Sequence, residues 1–105
     1  MNHSPPKLVP SLLLVGLWLA APFAPAQEQA ARSLAANCTG CHGPNGNSVG
    51  AIPSIAGLGK AYFVTAMQEF KAGTRQATVM HQHAKGYTDQ EFEVLADYFS
   101  KQKRQ

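Results

Sequence analysis

The sequence has few of the features that mark disulfide-rich, repetitive or membrane-spanning proteins. It holds only two cysteines among 105 residues, too few for a framework of several disulfides. Its main apolar run, residues 11–21, is too short to cross a hydrocarbon core of ~30 Å comfortably. No internal repeat, low-complexity tract or second domain is visible. These absences predict one small domain. A hydrophobic core of this size stabilises a fold only weakly, so the domain needs a further element such as a disulfide, a metal or a cofactor.

Charge of either sign is also sparse. The chain has nine Lys and Arg and six Asp and Glu side chains, which gives a formal net charge of +3. Such a small, dispersed excess is not the basic footprint of a nucleic-acid-binding protein, so no nucleic-acid partner is expected. The chain also lacks a G-x-G-x-x-G segment between a strand and a helix. It therefore cannot bind FAD in the usual way.

The N-terminal segment has the pattern of a secretory signal peptide. Lys7 supplies a positive charge, residues 11–21 supply the apolar run, and Ala24-Pro25-Ala26 offers a small-residue cleavage site. We expect residues 1–26 to be the signal peptide and residues 27–105 the mature domain of an exported protein without a membrane span. The alternative is an uncleaved membrane anchor.

Both cysteines fall in one short motif, Cys38-Thr39-Gly40-Cys41-His42. C-x-x-C-H is the signature of covalent c-type haem attachment. Each thiol adds to one vinyl group of the porphyrin, and the histidine that follows binds the iron as proximal ligand. We therefore expect Cys38 and Cys41 to hold one haem c and His42 to ligate its iron. These covalent bonds would also supply the extra stabilisation that such a small domain needs.

Three other kinds of site are alternatives for these thiols: a structural disulfide, a redox pair and a zinc site. A disulfide between Cys38 and Cys41 would close a very small loop and constrain the unfolded chain little, and a thioredoxin-like redox pair would need a βαβ context that is not visible. A zinc site needs about four ligands. Cys38, Cys41, His81 and His83 could supply them, although His-x-His is not the usual finger spacing.

The iron of an attached haem takes a second axial ligand or keeps an open position, and Met80 is the main candidate. Residues 73–79 lack helical periodicity, so we expect Met80 to project from a loop towards the haem. A Met/His pair raises the reduction potential, as suits an electron carrier. Met67 lies on the apolar face of a predicted helix and is expected to pack rather than ligate. His81 and His83 stay as alternative ligands.

Three segments have helical patterns. Residues 28–36 are rich in helix formers, and residues 60–72 carry an apolar stripe that ends at Gly73, a plausible C-cap. Thr88 and Glu91 form the T-x-x-E pattern of a capping box at the start of the last helix. The apolar stripe of that helix consists of Phe92, Leu95, Ala96 and Phe99.

The order of these segments predicts an all-α fold. It runs from a first helix through the haem site, a Gly- and Pro-rich loop at residues 43–59, a second helix and a ligand loop to a third helix. A loop of this length normally counts against an assignment in a small domain. Here the porphyrin can act as the core on which the loop packs.

With these residues in place, the chain resembles a class I cytochrome c from about residue 33 to residue 99. The motif at 38–42 matches the attachment site, and Met80 matches the distal ligand. Pro53 begins a Pro-Ser-Ile-Ala-Gly segment. It is similar to the segment of that family in which the proline carbonyl accepts a hydrogen bond from the proximal histidine. The resemblance therefore implies that Pro53 orients His42. It also implies a small class I cytochrome c-like fold of about three helices and long loops.

A narrower resemblance is to the haem subunit of flavocytochrome c sulfide dehydrogenase. The segments that carry it are residues 46–50, 53–56, 62–63, 69–71, 78–80 and 84–87. That family pairs a small periplasmic cytochrome with an FAD-containing, sulfide-oxidising subunit. The resemblance implies that FAD is bound only by the partner subunit and that electrons pass on to an acceptor cytochrome.

The expected function is accordingly electron transfer, with no catalysis by this chain alone. It shows no acid–base or nucleophilic constellation once both cysteines are thioethers. Two alternatives are a free-standing electron shuttle and a small zinc-binding structural protein. Lys60, Lys71, Arg75 and Lys85 are candidate contacts to an acidic partner, or else ordinary solvated surface charges.

Overall fold

Four α-helices and one short 3-10 turn form the part of the chain that the computed structural model describes, which is Met1 and residues 24–105. The elements are α1 (Ala24–His42), the 3-10 turn (Pro44–Gly46), α2 (Lys60–Ala72), α3 (Met80–Ala84) and α4 (Asp89–Ser100). No strand occurs within these ranges, and the predicted all-α fold is confirmed. The predicted signal peptide lies outside the described residues, apart from Met1 and its last three residues.

The predicted helix ends are confirmed at two places. The Thr88 hydroxyl accepts from the Glu91 backbone N–H at 3.2 Å, and the Glu91 carboxylate accepts from the Thr88 N–H at 2.8 Å. This reciprocal capping box starts α4. Gly73 ends α2 with a φ of 77°, and its N–H donates to the Phe70 carbonyl at 3.1 Å. A left-handed residue of this kind is a common helix C-cap, and glycine adopts it without strain.

The core lies where α4 packs against α1 and α2. The predicted stripe of α4 is buried, with Phe92, Leu95, Ala96 and Phe99 at most 1% exposed. Phe63 of α2 stacks on Phe99 with ring centroids 5.8 Å apart, and Ala35 contributes from α1. Aromatic pairs at this separation add to the stabilisation from apolar burial. The hydrophobic pattern of the last helix therefore identified the centre of the fold.

Two segments differ from the sequence-based expectation. The first helix does not stop before the attachment motif but continues through it to His42. Met80 does not project from a loop, because it is the first residue of the short helix α3. This turn forms because the Val79 carbonyl accepts from the N–H groups of Gln82 and His83, at 2.9 and 3.1 Å. A five-residue helix is too short for its periodicity to be visible in the sequence.

Beyond the 3-10 turn at Pro44–Gly46, the long loop between α1 and α2 is fixed by backbone hydrogen bonds to itself and to α4. The Gly46 carbonyl accepts from the N–H groups of Ile55 and Ala56, at 2.8 and 3.0 Å. The Gly57 N–H donates to the Phe99 carbonyl at the end of α4, at 2.8 Å. These bonds hold the intervening residues, Pro53 among them, in a fixed position relative to α1 and α4.

Within the described residues, no helix combines the length and the apolar character that crossing a membrane requires.

Gly46 is expected to be intolerant of a side chain. It adopts a φ of 80°, and a Cβ there would lie 2.9 Å from Ala56 N, Ile55 Cγ1 and Phe99 Cδ1. We expect Gly46→Ala to lower the free energy of unfolding by about 1–3 kcal/mol from overpacking alone, measured by chemical denaturation. Gly50→Ala is the matched control, because a Cβ at Gly50 meets nothing within 4 Å. Equal denaturation midpoints for the two variants would contradict this account of the loop.

Candidate functional site

A cavity of about 530 Å³ opens between the end of α1, the loop at residues 51–58, α2 and α3. This volume is in the range of small-molecule and cofactor sites. Its wall is mostly apolar and aromatic. The predicted site residues Cys38, Cys41, His42, Pro53 and Met80 all line it. The fold therefore brings these five residues together in one cavity.

The three residues of the attachment motif share the cavity because of helix geometry. Cys38, Cys41 and His42 stand at positions i, i+3 and i+4 of α1, and these positions lie on one helix face. Cys38 is half-buried, Cys41 is exposed and His42 is only 9% exposed. The continuation of α1 through the motif thus aligns two thiols and one imidazole towards the same space.

The His42 ring is held by the loop. Its Nδ1 lies 2.6 Å from the carbonyl oxygen of Pro53. A carbonyl oxygen can only accept, so Nδ1 carries the proton and donates. The other ring nitrogen, Nε2, then keeps its lone pair for a metal, and a hydrogen bond of this kind also fixes the ring orientation. The acceptor is a backbone oxygen, so its position beside the His42 ring is set by the path of the loop.

The candidates for a second axial ligand differ in the cavity that they line and in their burial. Met80 is half-buried, packs against the core and lines the cavity. His83 also lines the cavity but is exposed. His81 lines a second, smaller cavity instead. Met67 lines the main cavity from the middle of α2, yet it is 6% exposed and belongs to the core cluster. Met80 and His83 are therefore the candidates that the fold presents without taking a side chain from the core.

The other kinds of thiol chemistry find little support in the structure. Both Cys38 and Cys41 are unpaired. Burial raises the pKa of the Cys38 thiol, an effect that a hydrogen bond with Tyr87 partly offsets. A reactive redox cysteine has a lowered pKa instead. Among residues 24–105, no three His, Cys, Asp or Glu side chains are grouped so as to hold a metal ion.

The donor set does fit a covalently attached haem. The cavity presents two free thiols, an imidazole with its Nε2 available and a thioether within a mainly apolar wall. Two thiols would attach a c-type haem, and an imidazole and a thioether are suitable ligands for its iron. The apolar wall suits the porphyrin, which would complete the core on this side of the molecule.

Three large apolar side chains on the wall of this cavity are also exposed to solvent. Ile52, Tyr62 and Val79 are 43%, 54% and 54% exposed and all line the cavity. We call these three residues the apolar rim. Large apolar side chains that are exposed on a cavity wall are positioned to contact the group bound there or a partner that docks at the opening. The sequence alone did not reveal this grouping.

The four basic residues singled out in the sequence lie in different surroundings. Lys71, Arg75 and Lys85 line a second cavity of about 280 Å³ together with His81. Lys60 instead forms an ion pair with Asp97. Arg75 alone of the four also lines the main cavity. The sequence left Arg75 open between a partner contact and a solvated surface charge, because neither periodicity nor a motif indicates which way an arginine in a loop points.

The sequence pattern of the family described as Cytochrome c matches residues 27–103. The chain is 48% identical over 75 residues to the cytochrome subunit of sulfide dehydrogenase from Chlorobaculum tepidum, an alignment that covers 71% of this chain and 68% of that protein. It is 37% identical to cytochrome c4 of Azotobacter vinelandii, over 98% of this chain and 52% of the relative. The chain thus spans about half the length of that cytochrome c4.

A third relative is the thiosulfate dehydrogenase electron acceptor of Thiomonas intermedia, 38% identical over 76% of this chain and 38% of the relative. Among solved structures, cytochrome c4 of Acidithiobacillus ferrooxidans matches with a TM-score of 0.64 at 30% identity. That match covers 71% of this chain and 49% of the other. Together with the cavity that joins both thiols to the His42 imidazole, these findings show that the chain belongs to the cytochrome c family of covalent haem-binding electron carriers.

Proposed function

We propose that this chain is the electron-transfer subunit of a periplasmic sulfide dehydrogenase. It accepts electrons from an FAD-containing subunit and passes them to an acceptor cytochrome. The observation that carries the proposal is the single cavity that holds Cys38, Cys41, His42 and Met80. The similarity to a cytochrome subunit of sulfide dehydrogenase, at 48% identity, supports the choice of partner.

Each site residue has one role in this proposal. Cys38 and Cys41 attach one haem c through thioether bonds, and His42 ligates the iron through Nε2. The Pro53 carbonyl holds the His42 ring by accepting from Nδ1 at 2.6 Å. Met80 would supply the second ligand to the iron from the cavity wall. When bound, the haem supplies one-electron chemistry, and the protein's part is to hold it, tune it and shield it from water.

The division of labour between two subunits follows from electron counting. Oxidation of sulfide to the level of elemental sulfur releases two electrons, which a flavin can accept as a pair. A single haem iron carries one electron at a time. This sequence has no dinucleotide-binding glycine motif, so the FAD belongs to the partner. The partner then delivers its two electrons to this chain in successive single steps.

The apolar rim of Ile52, Tyr62 and Val79 supports docking of a partner at the haem cavity. These side chains are exposed and lie on the cavity wall. A partner that covered them would exclude water from the cavity mouth and shorten the path for the electron. The cores of protein interfaces favour such apolar and aromatic groups. The proposed periplasmic location rests on the predicted signal peptide at residues 1–26.

Met80→Ala is expected to remove the far-red charge-transfer absorption band that an Fe(III)–S(Met) bond produces. The physical reason is that alanine has no sulfur to bind the iron. The reduction potential is expected to fall as well, because a thioether ligand favours the reduced iron. Absorbance spectroscopy of the oxidised, haem-loaded protein measures the band.

His81→Ala and His83→Ala are the controls, and both are expected to retain the band. His83 is the more stringent control because it lines the same cavity as Met80. If the band is absent from the unmodified protein, or disappears only in a histidine variant, Met80 is not the ligand.

Ile52→Gln is expected to slow sulfide-dependent reduction of the haem by an FAD-containing sulfide dehydrogenase subunit. Loss of one interface side chain that matters costs more than about 1 kcal/mol, which corresponds to about fivefold or more in rate or affinity. Stopped-flow absorbance of the haem, with sulfide and the flavoprotein present, measures the rate.

Val94→Gln is the matched control, because Val94 is similarly exposed, at 38%, but does not line the cavity. Equal rates for the two variants would show that the rim is not the docking surface. No reduction of the unmodified protein by sulfide and the flavoprotein would overturn the subunit assignment. That outcome would favour a free-standing electron shuttle, a role closer to that of the relative named as a thiosulfate dehydrogenase electron acceptor.

A further inference from the structure

We propose that Arg75, held in place by Glu69 and Tyr62, presents a fixed positive charge to the haem cavity and raises the reduction potential of the bound haem. In this arrangement Glu69 and Tyr62 are positioning residues, and Arg75 is the group that acts on the iron. The inference rests on haem attachment in this cavity. It does not depend on sulfide dehydrogenase being the partner.

The Arg75 guanidinium is held from several directions. Its Nη1 donates to the Glu69 carboxylate at 2.8 Å, and its Nη2 donates to the Tyr62 hydroxyl at 2.9 Å. The guanidinium carbon also lies 5.4 Å from the ring centroid of Tyr62 and 5.5 Å from that of Phe70. Both separations are within the range of a cation–π contact. A side chain with two directional bonds and two ring contacts has little freedom to swing into solvent.

The ion pair is oriented with its positive end towards the cavity. Arg75 lines the cavity, as do Tyr62 and Phe70, whereas Glu69 is not part of the wall. The exposed fractions agree with this orientation, because the Glu69 side chain is 43% exposed and the Arg75 side chain 32%. The two charges therefore do not cancel at the centre of the cavity, since the nearer one is positive.

The sign of the effect follows from electrostatics. When the bound iron is reduced, the haem loses one unit of positive charge. A neighbouring cation is repelled more by the oxidised haem than by the reduced haem, so it shifts the equilibrium towards the reduced form. The mainly apolar wall of the cavity screens this interaction less than water would. Charges and dielectric around the iron are among the means by which a protein sets a haem potential.

Arg75 also has a structural connection to the proposed ligand, and a test must separate the two roles. The N–H groups of Thr74 and Arg75 both donate to the Glu69 carbonyl, at 3.0 and 3.3 Å. These bonds lie at the start of the segment that leads to Met80. A variant that merely loosened this segment would expose the haem and weaken Met80 ligation. That would lower the potential whichever charge had been removed.

The experiment exploits the opposite charges of the pair. In the haem-loaded protein without any partner, R75Q is expected to lower the reduction potential and E69Q to raise it. Each substitution is expected to change the equilibrium constant for electron exchange with a reference redox dye by about two- to fivefold, the range for partly exposed charge pairs. The R75Q/E69Q double variant is expected to fall between the two single variants.

Three measurements show whether charge is responsible. R75K keeps the charge and should stay closer to the unmodified protein than R75Q does. Y62F removes only the hydroxyl bond and should shift the potential less than R75Q does. The differences should shrink as salt is added, because Arg75 and Glu69 are partly exposed and their charges are screened. The far-red absorption band should persist in every variant, which shows that the thioether still binds iron.

The proposal is overturned if R75Q and E69Q shift the potential in the same direction, or if R75Q causes no shift. It is also overturned if the shifts appear only where the far-red band is lost. Should R75Q fail to mature with haem, the upward shift of E69Q and the near-normal potential of R75K decide the matter. Failure of sulfide to reduce the unmodified protein would bear on the proposed partner and leave these potentials as measured.

Discussion

The helical register of α1 is the constraint on which the rest of the site depends. Positions i, i+3 and i+4 of one helix place Cys38, Cys41 and His42 on one face, which forms part of the cavity wall. If α1 ended before the motif, helix geometry would not place the two thiols and the imidazole on the same face. They could then not hold one bound group together.

The loop after α1 completes the site because it is tied down at both ends of its path. Gly46 accepts from Ile55 and Ala56, and Gly57 donates to the carbonyl of Phe99 on α4. Between these anchors lies Pro53, whose carbonyl meets His42 Nδ1. The buried face of α4 thus contributes to the site at a distance. The Phe99 carbonyl holds the loop, and the Pro53 carbonyl in that loop holds the histidine. Both are backbone atoms, so the side-chain sequence does not show these contacts directly.

Several parts of the fold were predictable because their signals are local. The capping box at Thr88 and Glu91, the left-handed Gly73 and the apolar stripe of α4 each occupy a few neighbouring positions. The course of α1 through the motif and the short helix at Met80 were not predicted. The first carries a glycine within the motif, and the second is too short for periodicity to be visible. Their helical state depends on packing more than on intrinsic preference.

The chemistry of this protein can be inferred from its residues and their spacing alone. Two thiols and an imidazole at a set spacing, with Met80 further along, indicate a covalent haem, and local patterns indicate the helices that carry them. The folded structure was needed to establish which nitrogen of His42 is free and that Arg75 lines the cavity while Glu69 does not. Helix registers and caps are set by residues within a few positions of one another. The direction of a loop carbonyl or an ion pair is set by how the chain returns to itself across the core.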